Sequence, residues 1–262
     1  SQSGETADTL AVLRVSKKQG AKVLAITNVV GSSVAREADD VFYTLAGPEI
    51  AVASTKAYIT QLVAFYILAL HFAEVKGTLA SSEIESIKKE LIAIPNKINE
   101  LLKNKDNIQK YASYHFNQKD LFFLGRGLDF AVALEGSLKL KEISYINSEA
   151  YAGGELKHGT IALIEPGTKV IAALTQSQLK DKMISNVKEV TTRGGNILAI
   201  VNDGDESAKN ITDDVIYIPK TIDLLTPLLS VIPLQLLSYY IAKLKGCDVD
   251  KPRNLAKSVT VE

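Results

Sequence analysis

The feature that most constrains this chain is an internal repeat. Laid without a gap over residues 175–217, residues 1–43 keep 12 identities in 43 positions. Gln2-Ser3 falls on Gln176-Ser177, Gly20 on Gly194, Leu24-Ala25-Ile26 on Leu198-Ala199-Ile200, Asn28 on Asn202, and Asp39-Asp40-Val41 on Asp213-Asp214-Val215. Each copy reads as loop, helix, glycine, short apolar strand, loop and second short strand. Strands alternating with helices in this order need crossover connections, which produce a parallel sheet covered by helices. The expected fold class is α/β, built as two tandem, doubly wound, mainly parallel sheets. The second copy is preceded by a strand over 121–124, a long helix and a strand over 169–174, whereas nothing precedes Ser1. The first domain is therefore expected to lack its N-terminal strand and loop, roughly 50 to 60 residues, because the edge left behind would offer unpaired strand hydrogen bonds.

Four segments are expected: a first domain over 1–78, a helical connector over 79–118, a second domain over 119–250 and a tail over 251–262. Helices are read over 7–18, 50–75, 82–94, 97–114, 131–143 and 224–244, with Pro95 separating two of them. Residues 147–161 read as a polar link. Strands are read over 22–26, 41–44, 121–124 and 169–174. An apolar fraction of 46% with 23% charged residues supplies a sizeable core. Thirty basic side chains balance thirty acidic ones, so no net field recruits nucleic acid or an anionic membrane. The single cysteine, Cys247, rules out an internal disulfide and suits a reducing compartment. The densest apolar run, 62–70, is about half a membrane span. A cytoplasmic protein with no membrane partner is expected.

Four places could carry chemistry. Ser1-Gln-Ser-Gly-Glu-Thr6 is a hydroxyl-rich loop running into a helix, suited either to an anion or to ordinary helix capping. Glu135, Lys139 and Glu142 share one helix face, as a solvated ion-pair ladder or as a base beside an ammonium. His158 stands in a glycine-flanked loop, and the reading of this residue stays open. Lys257 is the only charge between Arg253 and the terminal glutamate. A tail folded over a ligand would place this amine in a dry site that favours its neutral, nucleophilic form, whereas a free tail would leave it solvated. The three histidines and the cysteine lack metal-ligand spacing, and Gly125-Arg-Gly127 is too short for a dinucleotide fingerprint. No metal or other cofactor is expected.

The stretches Ser-Gln-Ser-Gly-Glu-Thr at 1–6, Glu-Gly-Ser-Leu-Lys-Leu-Lys-Glu at 135–142, Glu-Ala-Tyr-Ala-Gly-Gly-Glu-Leu-Lys-His-Gly at 149–159 and Pro-Arg-Asn-Leu-Ala-Lys-Ser-Val-Thr-Val-Glu at 252–262 share a likeness. Together they resemble the isomerase half of the glutamine–fructose-6-phosphate aminotransferases, also called glucosamine-6-phosphate synthases. The resemblance covers essentially the whole chain. It implies two SIS (sugar isomerase) domains, each with a five-stranded parallel sheet, and a C-terminal tail docked over the active site. The implied activity converts fructose 6-phosphate and ammonia into glucosamine 6-phosphate. In the family that ammonia is released from glutamine by a separate glutaminase domain.

By resemblance, Ser1, Gln2, Ser3 and Thr6 grip the phosphate, and Val52, Ser54 and Ala256 line the sugar site. Lys257 forms a Schiff base at C2, Glu142 moves a proton between C1 and C2, and Glu135 and Lys139 support it. His158 assists ring opening from the partner subunit of a homodimer. A non-amidating phosphosugar isomerase or a sugar-phosphate-binding SIS regulator would share the 1–6 loop but gives no reason for Lys257 in its tail. The second copy has Gln178, Leu179 and Lys180 where the first has Gly4, Glu5 and Thr6, so it is expected to be a weaker, structural cradle.

Overall fold

The computed structural model describes residues 1–212 and 214–260. The chain divides into two compact units, one of 1–86 with 250–262 and the other of 87–249.

The first unit contains α1 (Ala7–Lys18), β1 (Leu24–Thr27), α2 (Ser33–Glu37), β2 (Asp40–Tyr43) and α3 (Lys56–Lys76). Strands β1 and β2 pair in parallel from Leu24↔Asp40 to Thr27↔Tyr43. Leu13 of α1, Ala25 of β1 and Val34 of α2 form a small core, with Leu10, Val23 and Ala38 packed against it. Leu10 and Leu13 lie three apart, so one face of α1 carries the apolar contact. On its solvent side Arg14 donates to both carboxylate oxygens of Glu37, at 2.7 and 2.8 Å. That pair is exposed and adds little to stability.

The helix read over 50–75 begins only at Lys56. The carboxylate of Glu49 supplies the reason: its Oε1 accepts the backbone N–H groups of Thr55 and Ala57, at 2.8 and 3.2 Å. A side chain that satisfies the first donors of a helix fixes where that helix starts. Residues 50–55 remain an irregular segment beside it. Helix α3 ends in the left-handed conformation at Gly77.

The second unit holds α5 (Asp106–His115), β3 (Asp120–Gly125), α6 (Leu128–Ser144), β4 (Asn147–Ala152), β5 (Lys169–Ala173), α7 (Lys180–Thr191), β6 (Asn196–Asn202), β7 (Val215–Ile218) and α8 (Pro227–Leu244). Helix α4 (Ser81–Lys103) straddles the border between the units. The five strands are all parallel, in the order β4-β3-β5-β6-β7. The inner strands are continuous apolar runs, as strands covered on both faces must be: Leu121, Phe123, Val170, Ile171, Ile197, Leu198 and Ile200 are all buried. Strand order reverses at β3, so the loops after β3 and β5 open at a switch point, where parallel sheets bind ligands.

Some residues aligned between 1–43 and 175–217 share local geometry. Ala199 pairs with Val215 as Ala25 pairs with Val41. Gly20 and Gly194 both take positive φ, +80° and +84°, which lets each helix turn sharply into its strand.

Two expectations are corrected. Pro95 does not separate two helices, because α4 runs through it. Pro95 is exposed, so the carbonyl of Leu91, which loses its helical partner, can be hydrated; the break comes instead at Asn104-Lys105. The link read over 147–161 contains edge strand β4 and two 3-10 turns, Leu156–His158 and Thr160–Leu163. Its polar composition hides the strand, whose backbone pairs with β3 over six residues, from Asp120↔Asn147 to Gly125↔Ala152.

Helices α3 and Asp223–Leu244 are long and apolar enough to cross a membrane by length and composition. The second is 72% buried, as a core helix is, and packs on α6. Pro227 occupies the first turn of α8, and Pro233 lies inside that helix.

Candidate active site

The 1–6 loop is braced from beneath by α2. Gly4 takes φ +70°, and its carbonyl accepts the N–H of Val34 at 2.9 Å. The Glu5 carboxylate accepts the N–H of Ser33 at 2.8 Å, and these bonds from Ser33 hold its carboxyl below the usual range. Ser1 Oγ accepts the N–H of Gly4 at 3.1 Å and lies 3.0 Å from Thr6 Oγ1. Three hydroxyls, those of Ser1, Ser3 and Thr6, are thereby gathered at the start of α1. The carbonyl of Gln2 accepts the N–H of Asn28 at 3.1 Å, which ties the loop to the carboxyl end of β1. Thr6 makes no side-chain cap on α1. The arrangement suits an anion, since hydroxyls and first-turn N–H groups converge at the positive end of a helix.

Gly4 allows no substitute. A Cβ there would lie 2.0 Å from Ser32 Oγ and 3.0 Å from Thr27 Oγ1. Gly4→Ala is expected to cost about 2–4 kcal/mol of stability, from left-handed strain together with overpacking. Chemical denaturation of the purified variant checks this, and an unchanged midpoint would refute it.

The C-terminal tail reaches the same loop. Ser258 Oγ and Ser3 Oγ share a hydrogen bond at 3.0 Å, and the carbonyl of Val259 accepts the N–H of Ala7, the first residue of α1, at 3.1 Å. One residue earlier, Lys257 Nζ donates to Glu49 Oε2 at 2.5 Å and to the carbonyl of Ala51 at 2.9 Å. The N–H of Val52 donates to the carbonyl of Asp250 at 2.9 Å. Ser1, Gln2, Ser3, Thr6, Val52, Ser54, Ala256 and Lys257 thus belong to one compact unit, with the tail tied at one point to the 1–6 loop and at another to the 49–52 segment.

Lys257 is not the isolated amine that the sequence suggests. It is paired, with 24% of its side chain exposed, against a Glu49 side chain that is 4% exposed. Burial pushes the Glu49 carboxyl up, but the Lys257 ammonium and the N–H groups of Thr55 and Ala57 outweigh it and hold it below the ordinary value. Glu49 was missed in the sequence because a turn glutamate after Gly47-Pro48 looks like any solvated one. The available signal was its place just ahead of an apolar helix lacking an acidic first turn.

In the second unit α6 brings Glu135, Lys139 and Glu142 together. Lys139 Nζ lies 2.5 Å from Glu142 Oε2 and 3.5 Å from Glu135 Oε1, with only 5% of its side chain exposed. The ladder is therefore buried rather than solvated. Burial, reinforced by the like charge of Glu142, pushes the Glu135 carboxyl up against the pull of Lys139. His158 ends a 3-10 turn in a different loop and is exposed. Among the described residues, no group of three or more His, Cys, Asp or Glu side chains could hold a metal ion.

The second copy's loop is already filled by the protein's own carboxylates. Buried Asp129 accepts the N–H of Thr175 at 2.7 Å, its hydroxyl at 2.5 Å and the N–H of Gln176 at 3.3 Å. Asp223 accepts the N–H and hydroxyl of Ser177, at 2.8 and 2.5 Å. A cavity of about 300 Å³ opens beside them, but the hydroxyls of Thr175 and Ser177 and the N–H groups of Thr175, Gln176 and Ser177 are taken. In the first copy the Ser3 hydroxyl is bonded instead to Ser258 Oγ and to the N–H of Glu5, and among the described residues no carboxylate is bonded to it.

Residues 1–71 and 116–244 match the SIS domain family. The chain is 67% identical over 264 residues to glutamine–fructose-6-phosphate aminotransferase (isomerizing) of Clostridium perfringens, aligning over 100% of its own length and 43% of that relative's. A relative of the same name in Methanosarcina acetivorans is 49% identical, and the chain spans 42% of its length. Among solved structures, the C-terminal domain of glucosamine-fructose-6-phosphate aminotransferase from Francisella tularensis superposes with a TM-score of 0.91 at 45% identity, covering 96% of this chain and 72% of that one. The glucosamine-6-phosphate deaminase of Thermotoga maritima gives 0.77 at 27% identity, covering 99% and 73%. The chain belongs to the SIS domain family, and within it to the C-terminal isomerase domains of the glutamine–fructose-6-phosphate aminotransferases.

Proposed function

We propose that this chain carries out the isomerase part of glucosamine-6-phosphate synthesis, turning fructose 6-phosphate and ammonia into glucosamine 6-phosphate. The observation that carries the reading is the Ser3–Ser258 hydrogen bond, which sets the residue next to Lys257 against the hydroxyl loop. A sugar phosphate held by Ser1, Gln2, Ser3 and Thr6 is then gripped within the unit that contributes the amine, with Val52, Ser54 and Ala256 along the sugar. At neutral pH the phosphate is largely dianionic, which suits hydroxyls and helix N–H groups.

His158 assists opening of the furanose ring to the C2 ketone. The Lys257 amine adds to that carbonyl, and loss of water leaves an iminium carbon. Ammonia adds to the same carbon and lysine departs, which leaves the C2 imine of the sugar. Glu142 takes a proton from C1, and the enolamine that results is protonated at C2 while its C1 enol becomes the aldehyde. One C–H bond breaks, one forms, and no electrons enter or leave. Glu135 and Lys139 orient Glu142. The relatives are named for glutamine, which supports a glutaminase domain as the source of ammonia. The chain acts as a cytoplasmic homodimer, with His158 supplied by the partner subunit.

The test is direct. The protein is incubated with fructose 6-phosphate and borohydride, and the Lys257 peptide is examined by mass spectrometry. Glucosamine 6-phosphate formed with ammonium salt is assayed alongside. A hexose phosphate adduct on Lys257 and formation of the amino sugar are expected. No adduct and no affinity for fructose 6-phosphate would overturn the reading.

A further inference from the structure

We infer that Glu49 anchors the Lys257 amine and accepts its proton as that amine adds to the sugar carbonyl; this rests on the Schiff-base role given to Lys257 above. Glu49 lies between β2 and α3, outside every motif that drew attention in the sequence. Its two carboxylate oxygens are divided between two tasks. Oε1 takes the N–H groups of Thr55 and Ala57, so the start of α3 holds the carboxylate in place. Oε2 is left for Lys257, at 2.5 Å. The carbonyl of Ala51, two residues on, takes a second bond from the same amine at 2.9 Å. Lys257 is thus aimed by one short segment, while Ser258 beside it is held to Ser3 of the anion loop.

A tail fastening alone has simpler solutions. A buried ion pair repays its desolvation only with good geometry and extra hydrogen bonds, and apolar contacts often serve better. Here the carboxylate has 4% of its side chain exposed, and its second oxygen is spent on a helix N-terminus that stabilises negative charge. That cost is maintained at the one lysine to which covalent chemistry is assigned. An ammonium has no lone pair, so Lys257 must release a proton before it can attack. That ammonium is also first among the influences that hold Glu49 low, so its loss leaves burial, the largest influence on this carboxyl, to favour the acid form. Glu49 is the carboxylate in contact with it.

The step balances. The ammonium passes a proton to Glu49, and the neutral amine adds to the C2 carbonyl to give a carbinolamine. The C–O bond then breaks as Glu49 returns the proton to the departing hydroxyl, which leaves as water. The products are a cationic iminium and an ionised Glu49, so net charge is unchanged.

Glu49→Gln tests this with little change of shape. The amide oxygen can still accept from Thr55 and Ala57, but no carboxylate faces Lys257. The rate of borohydride trapping with fructose 6-phosphate is expected to fall about 100-fold, the scale of a general-base contribution. The dissociation constant for fructose 6-phosphate, measured by calorimetry, should change by less than about threefold, because the phosphate grip lies elsewhere. Glu49→Asp, which keeps the charge on a shorter arm, should recover part of the trapping rate. Equal trapping in wild type and Glu49→Gln overturns the proposal. So does a fall in trapping that only follows a parallel loss of affinity and melting temperature.

If the wild type forms no adduct, the Schiff-base reading fails and the proton-transfer half of this proposal fails with it. The anchoring half is then decided without substrate. Carbon-13 reductive methylation gives Lys257 an NMR resonance, assigned by its loss in Lys257→Arg. A resonance that moves to the position of solvated lysines in Glu49→Gln supports the anchor, and one that does not move overturns it.

Discussion

Lys257→Arg is expected to abolish the borohydride adduct and to lower the rate of glucosamine 6-phosphate formation by about 10³-fold or more, the scale on which loss of a covalent nucleophile registers. Arginine is the informative replacement because it separates chemistry from folding. Its guanidinium stays protonated and can still pair with Glu49, yet it cannot condense with a ketone. Lys257→Ala removes both functions at once. It strands a Glu49 carboxylate that has 4% of its side chain exposed. Breaking one side of a fully buried pair costs about 3–5 kcal/mol. With Lys257 24% exposed, a loss of about 2–3 kcal/mol is expected for alanine by the same principle. The arginine variant should melt close to wild type and bind fructose 6-phosphate with similar affinity, since neither Ser3 nor Thr6 has changed. Turnover within tenfold of wild type in the arginine variant would remove Lys257 from the chemistry.

How far the sequence alone could reach depended on whether a feature lies in local pattern or in long-range contact. The repeat made the α/β class legible, because a glycine, an apolar strand and an Asp-Asp-Val run kept in register imply the same crossover unit twice. The structure gives those residues the same pairing, Ala25↔Val41 and Ala199↔Val215. Strand β4 was not legible, since Asn147, Ser148 and Glu149 have weak strand preference and owe their conformation to the ladder with β3. Pro95 was over-weighted: its penalty depends on whether the freed carbonyl meets water, which burial decides and sequence does not. Among the site residues, the 1–6 loop and the α6 triplet could be seen because each is contiguous or periodic. Glu49 could not, because its importance comes from Lys257, 208 positions away in the chain. Asp129 and Asp223 were invisible for the same reason. Each looks like a surface carboxylate until the Thr175–Ser177 loop is folded onto it.

Glu142→Gln should separate the two halves of the proposed reaction. The substitution keeps the size of the side chain and removes its capacity to carry a proton. A loss of about 10²–10⁴ in the rate of amino-sugar formation is expected, the usual contribution of a positioned base. The Lys257 adduct should still form at nearly the wild-type rate, because condensation at C2 precedes proton removal at C1. Fructose 6-phosphate deuterated at C1 should then lose no label to solvent in the variant. Folding should not account for the effect. Lys139 retains Glu135 as a partner at 3.5 Å, and the like charge of Glu142, which helps push the Glu135 carboxyl up, is gone. Relief of that repulsion offsets part of the loss of the 2.5 Å contact between Lys139 and Glu142. The variant should therefore lose no more than about 1–2 kcal/mol of stability and stay folded at the assay temperature. A variant that loses the adduct along with turnover would assign Glu142 to the condensation step. One that turns over within tenfold of wild type would leave the α6 triplet as a buried ion-pair cluster with no part in the proton transfer.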